Sequence, residues 1–324
     1  MKPIHIHKCD VLVIGASLEG CVAAAVAGKR NKKVLLAENS GSLGQASTNG
    51  LYVHLPEDET AEKDVLDYME LILAGAGEER NTSKPIYHDQ RLKTVLRHQL
   101  DAAGVQVLTH VFLAEPVMEG DKLAGYRFGT KTGYIEVRAD RIIDATDRMD
   151  AAGAAGLTPQ VRNRRVSINA KFNQISTEAI RSNTAEILQE GEGYLIGKLD
   201  YRYNCSLSGL NMSVDNPFFC HDTDYKELII YGLTASLGQP DSIALSQAQT
   251  GLRRFAYALR EDIRQGLKGF EKAHIIHVAP RLDCYGLRSY KENPYDNLTL
   301  LNNEVTAYNN RKAIELGIRA GSLD

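Results

Sequence analysis

Val11, Leu12, Val13 and Ile14 run without a polar break into Gly15, and beyond the turn at residues 15–20 the chain becomes rich in alanine. A short apolar run ending at glycine reads as a parallel strand buried on both faces. The stretch "LEGCVAAAVAGK", Leu18–Lys29, reads as a helix whose small side chains permit close approach to a sheet. "KVLLAE", Lys33–Glu38, is a second short strand ending in an acid. Strand, tight turn, helix and strand form one βαβ unit, which places the chain in the α/β class.

The turn itself carries two of three glycines. In a G-x-G-x-x-G turn the first glycine permits the tight bend, the second lets backbone approach a phosphate, and the third lets helix and strand pack closely. Gly15 and Gly20 fill the outer roles, and Ser17 stands in the middle. Serine fits there if its φ is negative, and its hydroxyl can donate to a phosphate oxygen. Glu19 is less comfortable, because a carboxylate repels an anion at a helix N-terminus unless it points away. The turn alone is also compatible with a strand-turn-helix that binds nothing. Glu38 shifts that balance. It lies 18 residues after Gly20, at the tip of the second strand. A carboxylate there accepts ribose hydroxyls and repels a 2′-phosphate, which favours NAD or FAD over NADP.

Bulk properties narrow the function classes. The chain has 324 residues, 43% hydrophobic and 24% charged, with a net charge of −3, and shows no basic footprint for nucleic acid. It has no apolar run of 18 residues, so no transmembrane helix is expected. Asp10 and Glu19 interrupt the N-terminal apolar stretch, which argues against a signal peptide and for a cytoplasmic protein. Five widely spaced cysteines with no C-x-x-C pair read as buried free thiols. His5, His7 and Cys9 alternate along one strand face and read as surface strand rather than metal ligands, so no metal site is expected.

Helical periodicity marks Ala61–Leu73 and Gln90–Ala103, and Gly104–Leu108 reads as a third strand. "HVFLAEPVME", "KLAGYRF" and "GYIEVRA" read as a three-stranded antiparallel meander, after which Arg141–Ala145 returns as a separate buried strand. Beyond Gly156 the pattern loosens. Val166–Gln174, Ile229–Ala235 and Ile275–Ala279 read as β runs, and Ser242–Leu267 as a long helix broken near Gly251. Leu298–Leu301 closes as a strand, followed by a helix from about Val305 to Arg319. The expected organisation is a nucleotide-binding domain over residues 1–160 and 275–324, with an inserted α+β substrate or cap domain over 161–274.

The stretch "GSLGQASTNGL", Gly41–Leu51, resembles the second phosphate-and-flavin segment of FAD-dependent oxidoreductases of the glutathione-reductase-like, two-glycine-motif superfamily. More narrowly it is similar to the subgroup described as "FAD dependent oxidoreductase", which commonly reads L-G-G-x-x-T-x-G-L. Leu43, Gly44, Thr48, Gly50 and Leu51 match, and Gln45 replaces the second glycine. "RIIDATDRMDAAGAAG" resembles the family's I-D-A-T-G-D-x-D stretch, with Asp147 and Arg148 in place of Gly-Asp. Gly286-Leu287-Arg288 is similar to a G-v-R-e-T-R element, and "DNLTLLNNEV" to the closing flavin segment, with Leu301-Asn302-Asn303 where Ala-Gly-Arg is usual.

The resemblance implies a Rossmann-like FAD-binding domain with a parallel sheet and a β-meander. It implies an FAD site drawn from Gly15, Ser17, Leu18, Gly20, Glu38, Asn39, Gly44, Gln45, Thr48, Val107, Ala145, Thr146 and Asn302, with Val107 against the adenine. The implied activity is flavin-mediated hydride transfer on a small organic substrate, in a homo- or hetero-oligomer without nucleic acid or membrane. Arg288 is the expected anion clamp, and His221, beside Asp222, the expected proton acceptor; Tyr285 and His277 are further polar candidates. Ser17, Gln45, Asp147 and Asn302 each put a larger side chain at a flavin-contacting position. They motivate a second reading, a degenerate relative with weak or no FAD binding that serves as a structural or regulatory subunit. A third reading keeps NAD or a free nucleotide in the same loop.

Overall fold

Parallel pairing at the N-terminus follows from burial on both faces. In β1 (His5–Ile14) Val11 to Ile14 are all buried, and they pair in parallel with all of β2 (Val34–Ala37), equally buried. The computed structural model describes residues 5–54, 75, 86–158, 160, 161, 164–207, 209–238, 241–284, 288, 289 and 293–301. Between β1 and β2 runs α1 (Leu18–Lys29), with Ala23, Ala24, Ala25 and Ala27 fully enclosed. A helix apolar on every side needs cover on every side. It receives it from the sheet beneath, from the short α2 (Gln45–Thr48) and from α3 (Asp89–Ala102), which buries Leu92, Leu96 and Leu100 at helical spacing.

The first sheet has seven strands in the order β3-β2-β1-β6-β5-β4, with β17 also on β6. β3 (Gln106–Leu108) pairs in parallel with β2. β4 (Phe112–Glu119), β5 (Lys122–Thr130) and β6 (Gly133–Asp144) form the antiparallel meander. The sequence reading splits the third meander strand from the strand at Arg141–Ala145. They are one continuous strand. β6 runs parallel to β1 along one edge, while its other edge serves β5 first and then β17 (Leu298–Leu300). Asp140, exposed in mid-strand, gives the appearance of a break.

The second sheet is antiparallel and has eight strands. Its centre is β8 (Arg165–Asn173) beside β14 (Glu227–Ser236). β13 (Phe218–Asp222), β10 (Tyr194–Leu199) and β9 (Thr184–Gly191) extend it one way from β14, and β12 (Leu210–Asp215) and β11 (Arg202–Leu207) another. The strands β9 to β13 are not evident in the sequence. β9 is an edge strand with no buried residue, so it has no apolar face to advertise it. β15 (His274–Val278) pairs with β8, so the second sheet takes in residues assigned by the sequence to the closing segment. The short α5 (Thr177–Ser182) leads into β9, and α6 (Ser242–Gly266) packs across this sheet. It is unbroken at Gly251, contrary to expectation, because that glycine makes room for a neighbour: a Cβ there would stand 2.3 Å from Met212 Cε.

One hydrophobic core joins α1, α3, β8, β14 and α6, and a second lies under the meander with α4 (Asp150–Ala154). The two sheets are therefore fused through shared side chains rather than linked as beads. Among the described residues no helix is long and apolar enough to cross a membrane, and no group of three metal-ligating side chains occurs. All five cysteines are free. The helices expected at Ala61–Leu73 and Val305–Arg319 lie outside the described residues.

Candidate functional site

The order β2-β1-β6 places the sequential neighbour on one side of β1 and a strand from much later in the chain on the other. That is a topological switch point, and ligands of open α/β sheets lie at the carboxyl ends of the strands there. A cavity of about 870 Å³ opens at this edge, within the range of cofactor sites. Its walls come from both sheets. Gly15, Glu38, Asn39, Gln45 and Thr146 belong to the first; Leu245, Ser246 and Gln249 of α6, with Arg281 and Leu282, belong to the second.

Gly15 forms the floor. Its φ of +95° is a region that side chains avoid, and an added Cβ would stand 2.7 Å from the carbonyl carbon of Ala145. Ser17, at φ −59°, meets the condition its side chain required. Its hydroxyl does not enter the cavity lining. It caps α1, accepting from Gly20 N–H at 3.1 Å, so the residue at the middle-glycine position satisfies one of the helix's own free donors. Leu18 and Gly20 are buried behind the turn. Gly44 pairs with Ser17 in an isolated parallel bridge, and Thr48 Oγ1 donates to Leu43 O at 2.6 Å. These two residues build the second wall without lining the cavity.

Glu38 is 1% exposed. Its Oε2 accepts from Ala16 N–H at 2.7 Å and from Gln45 Nε2 at 2.6 Å, and its Oε1 from Ser40 N–H at 2.8 Å. Among the described residues Oε1 takes only this one bond, which leaves an acceptor position for a ribose hydroxyl. Glu38 is thus a structural brace as well as a candidate ligand group. Glu38→Ala will lower the melting temperature of the ligand-free protein, because the buried Ala16 N–H loses its acceptor at a cost of about 1–3 kcal/mol. Thermal unfolding without added nucleotide checks this; an unchanged midpoint would mean that Glu38 serves ligand alone.

At the end of β6, Asp144 is fully enclosed, and burial pushes its carboxyl up to about 6. It accepts from Thr146 N–H and Oγ1 and from Ala152 N–H, which ties the turn at 145–149 to α4. Ala145 is buried against Gly15, donating its N–H to Ile14 O at 2.8 Å. Asp147 lines the cavity and forms an ion pair with Arg281. Arg148 pairs with Asp150 at 3.3 Å. Burial pulls the Arg281 guanidinium below its ordinary value, while the charges of Asp283 and Glu38 oppose that. Two polar atoms of cavity-lining residues are buried without a partner among the described residues, Gln45 Oε1 and Arg281 Nη1. The negative charge that Asp147 brings is thereby paired, and Glu19 is not among the lining residues.

Several expected residues lie elsewhere. His221 is fully buried in β13. Its Nδ1 lies 2.9 Å from Glu227 O and so carries the proton, and its Nε2 accepts from Thr177 Oγ1 at 2.9 Å. Burial lowers its pKa, so the ring is a neutral core histidine rather than a group beside the cavity. Val107 sits in β3 and packs on the core; Val111, whose N–H donates to Glu38 O, lines the cavity instead. Arg288 pairs through its backbone with Val161 in a two-stranded ladder of β7 (Gln160–Val161) and β16 (Arg288–Ser289). His277 borders a separate surface depression with Arg253 and Tyr257. Tyr285 and Asn302 lie outside the described residues.

The residues present suit an adenine dinucleotide with a second ring system. A backbone floor that excludes a Cβ, an acid at the tip of β2, and the polar residues Gln45 and Arg281 line one cavity. Arg281 and the α6 residues escaped the sequence reading, which named Asp147 but not its partner. The one local signal for Arg281 is its place directly after β15, where the chain returns toward the first sheet.

The model of the family described as FAD dependent oxidoreductase matches residues 10–284. Among solved structures the chain is similar to a geranylgeranyl bacteriochlorophyll reductase-like protein from Thermoplasma acidophilum, at 17% identity over 98% of this chain and 77% of that one, with a TM-score of 0.54. It is similar to the myxobacterial chondrochloren halogenase CndH, described as FAD-dependent, at 15% identity over 98% and 76%, with a TM-score of 0.56. It is also similar to p-nitrophenol 4-monooxygenase PnpA from Pseudomonas putida, at 13% identity over 98% and 80%, with a TM-score of 0.59. At these identities the likeness is one of fold. No curated protein sequence matches the chain.

Proposed function

Because the chain belongs to the FAD dependent oxidoreductase family, we propose that its 870 Å³ cavity holds FAD with the adenosine ribose at Glu38 and the diphosphate over Gly15. The protein is an FAD-dependent oxidoreductase. The resemblance of residues 10–20 and 41–51 supports a finer placement among the two-glycine-motif, glutathione-reductase-like flavoproteins. Bound FAD supplies the redox step, exchanging a hydride with a small organic substrate. The chain's own residues bind, orient and exclude water. Glu38 offers its remaining acceptor to the ribose, and Gly15, without a Cβ, lets the diphosphate approach the backbone of the turn. Leu245 and Leu282 give the far end of the cavity an apolar wall, where a substrate would be shielded from solvent.

The observation that carries this reading is the convergence of Gly15, Glu38, Gln45 and residues 146–148 on one cavity at the switch point. The flavin-free alternative rested on Ser17, Gln45, Asp147 and Asn302. Ser17 acts as a helix cap and Asp147 is paired, so two of those departures carry little weight. The purified protein is expected to be yellow, with visible flavin absorption, or to become so on incubation with FAD. A colourless protein that shows neither absorption nor a thermal shift with FAD would refute the proposal.

A further inference from the structure

We propose that Arg281, held against Asp147, is the residue that receives the cofactor's diphosphate, an anion site built by the second sheet over the nucleotide turn of the first. This rests on the FAD reading above.

The ion pair locates the guanidinium. It holds Arg281 to Asp147, just beyond the end of β6, and Arg281 lines the same cavity as Gly15, at the end of β1, and Glu38, at the end of β2. Those positions lie at the carboxyl ends of β1, β2 and β6, which is where dinucleotide diphosphates sit in such sheets.

Arg281 is also short of partners. Its side chain is only 18% exposed, yet Nη1 is buried without a hydrogen bond among the described residues. Asp147 engages Nη2, so the guanidinium is held from one side only and keeps donor capacity at Nη1. The backbone that presents it is rigid. Asp283 and Ser167 exchange both backbone hydrogen bonds, at 2.8 and 3.0 Å, and Tyr52 OH donates to Asp283 Oδ2 at 2.6 Å. Ala279 N–H donates to Asn169 O, and Gln249 Nε2 holds Pro280 O at 3.0 Å. The arginine is thus fixed before any ligand arrives, which spares the ligand an ordering cost.

Charge explains why the pair exists. The described charged residues lining the cavity are Glu38, Asp147, Asp150, Arg148 and Arg281, a net −1. Removing Arg281 would take that lining to −2, so the repulsion of a diphosphate would grow. Asp147 keeps the guanidinium paired in the ligand-free protein, and it weakens anion binding while doing so.

The two residues therefore have opposite effects on anion affinity. In calorimetric titrations with ADP and with adenosine, Arg281→Gln is expected to weaken ADP about 10–100-fold, the loss of one charge-assisted hydrogen bond, and to change adenosine less than about 2-fold. Asp147→Asn is expected to tighten ADP, and Arg281→Lys to recover part of the loss with a steeper salt dependence. If Arg281→Gln does not fold, Asp147→Asn and Arg281→Lys carry the test alone. Equal ADP affinity in Arg281→Gln, equal losses for ADP and adenosine, or weaker ADP binding in Asp147→Asn would overturn the assignment. Flavin fluorescence separates this from the underlying reading. A wild type that binds ADP in an Arg281-dependent way but not FAD refutes the flavin proposal alone. A wild type that binds FAD as tightly as Arg281→Gln does refutes the diphosphate site alone.

Discussion

Replacing Lys171 by methionine will destabilise the protein by about 3–5 kcal/mol at neutral pH, the cost of stranding buried charge. Lys171 lies on β8 with its side chain 9% exposed. Its Nζ is 3.1 Å from Asp89, at the start of α3, and 2.8 Å from Glu227, at the start of β14. Asp89 is only 5% exposed, so without the lysine two carboxylates face each other with little water. The triad also joins the helix that covers α1 to the second sheet, so its loss loosens the contact between the two halves of the cavity wall.

The pH dependence has a defined sign. Burial pushes the Asp89 carboxyl up, but the charge and hydrogen bond of Lys171 outweigh it and leave the pKa lowered. In the wild type, then, the contribution of Asp89 is present above its unfolded pKa of about 3.9 and is lost as pH falls through the lower folded value. Burial pulls Lys171 down, yet Glu227 and Asp89 outweigh it and raise its pKa, so its contribution persists until alkaline pH passes that folded value. In Lys171→Met the burial of Asp89 is opposed only by the Gln90 hydrogen bond and the charge of His88, the smaller influences. The folded pKa of Asp89 moves above the unfolded one, and the penalty grows as pH rises. Urea unfolding at pH 7 and near pH 4 should show a large deficit that shrinks in acid. A deficit under about 1 kcal/mol at pH 7, or one independent of pH, would contradict the role of the triad.

Gly15→Ala will cost about 2–5 kcal/mol, combining backbone strain with overpacking, and will abolish measurable FAD binding. The added Cβ would stand 2.7–2.8 Å from backbone atoms of Ala145 and Thr146, none of which can rotate away. Relief requires the ends of β1 and β6 to separate, and that moves the turn carrying Asp147. Gly156→Ala is the control. That glycine has φ +89° but nothing within 4 Å of the added carbon, so it isolates strain from crowding. Unfolding of the ligand-free variants, followed by FAD titration, should place Gly15→Ala well below Gly156→Ala in both. Equal midpoints would show that the close contact relaxes freely.

The first βαβ unit was legible because its signals are local. Four buried residues, a glycine, an alanine-rich helix and a terminal acid each make a demand satisfied within a few residues of themselves. The same holds for the meander, whose turns carry Gly120 and Gly133. The second sheet was far less legible. β9 and β11 are edges with alternating or absent burial, and their stability comes from partners distant in sequence. His221 illustrates the difference. Beside Asp222 in sequence it looks like an acid–base pair, but strand alternation turns neighbours to opposite faces. Its ring enters the core, while Asp222 accepts from the N–H groups of Asp224 and Tyr225.

The α/β class, the nucleotide turn, the acid at the tip of β2 and, through ordered motif matches, the family can be read from the chain alone. Those follow from periodicity, glycine geometry and residue order, which need no knowledge of distant contacts. That Ser17 caps its own helix, that Glu38 braces the turn it serves, and that Arg281 lines the cavity follow from tertiary contacts alone. Each depends on atoms brought together from separate elements, and an ion pair between Asp147 and Arg281 leaves no periodic trace in a chain that must cross an entire second sheet to form it.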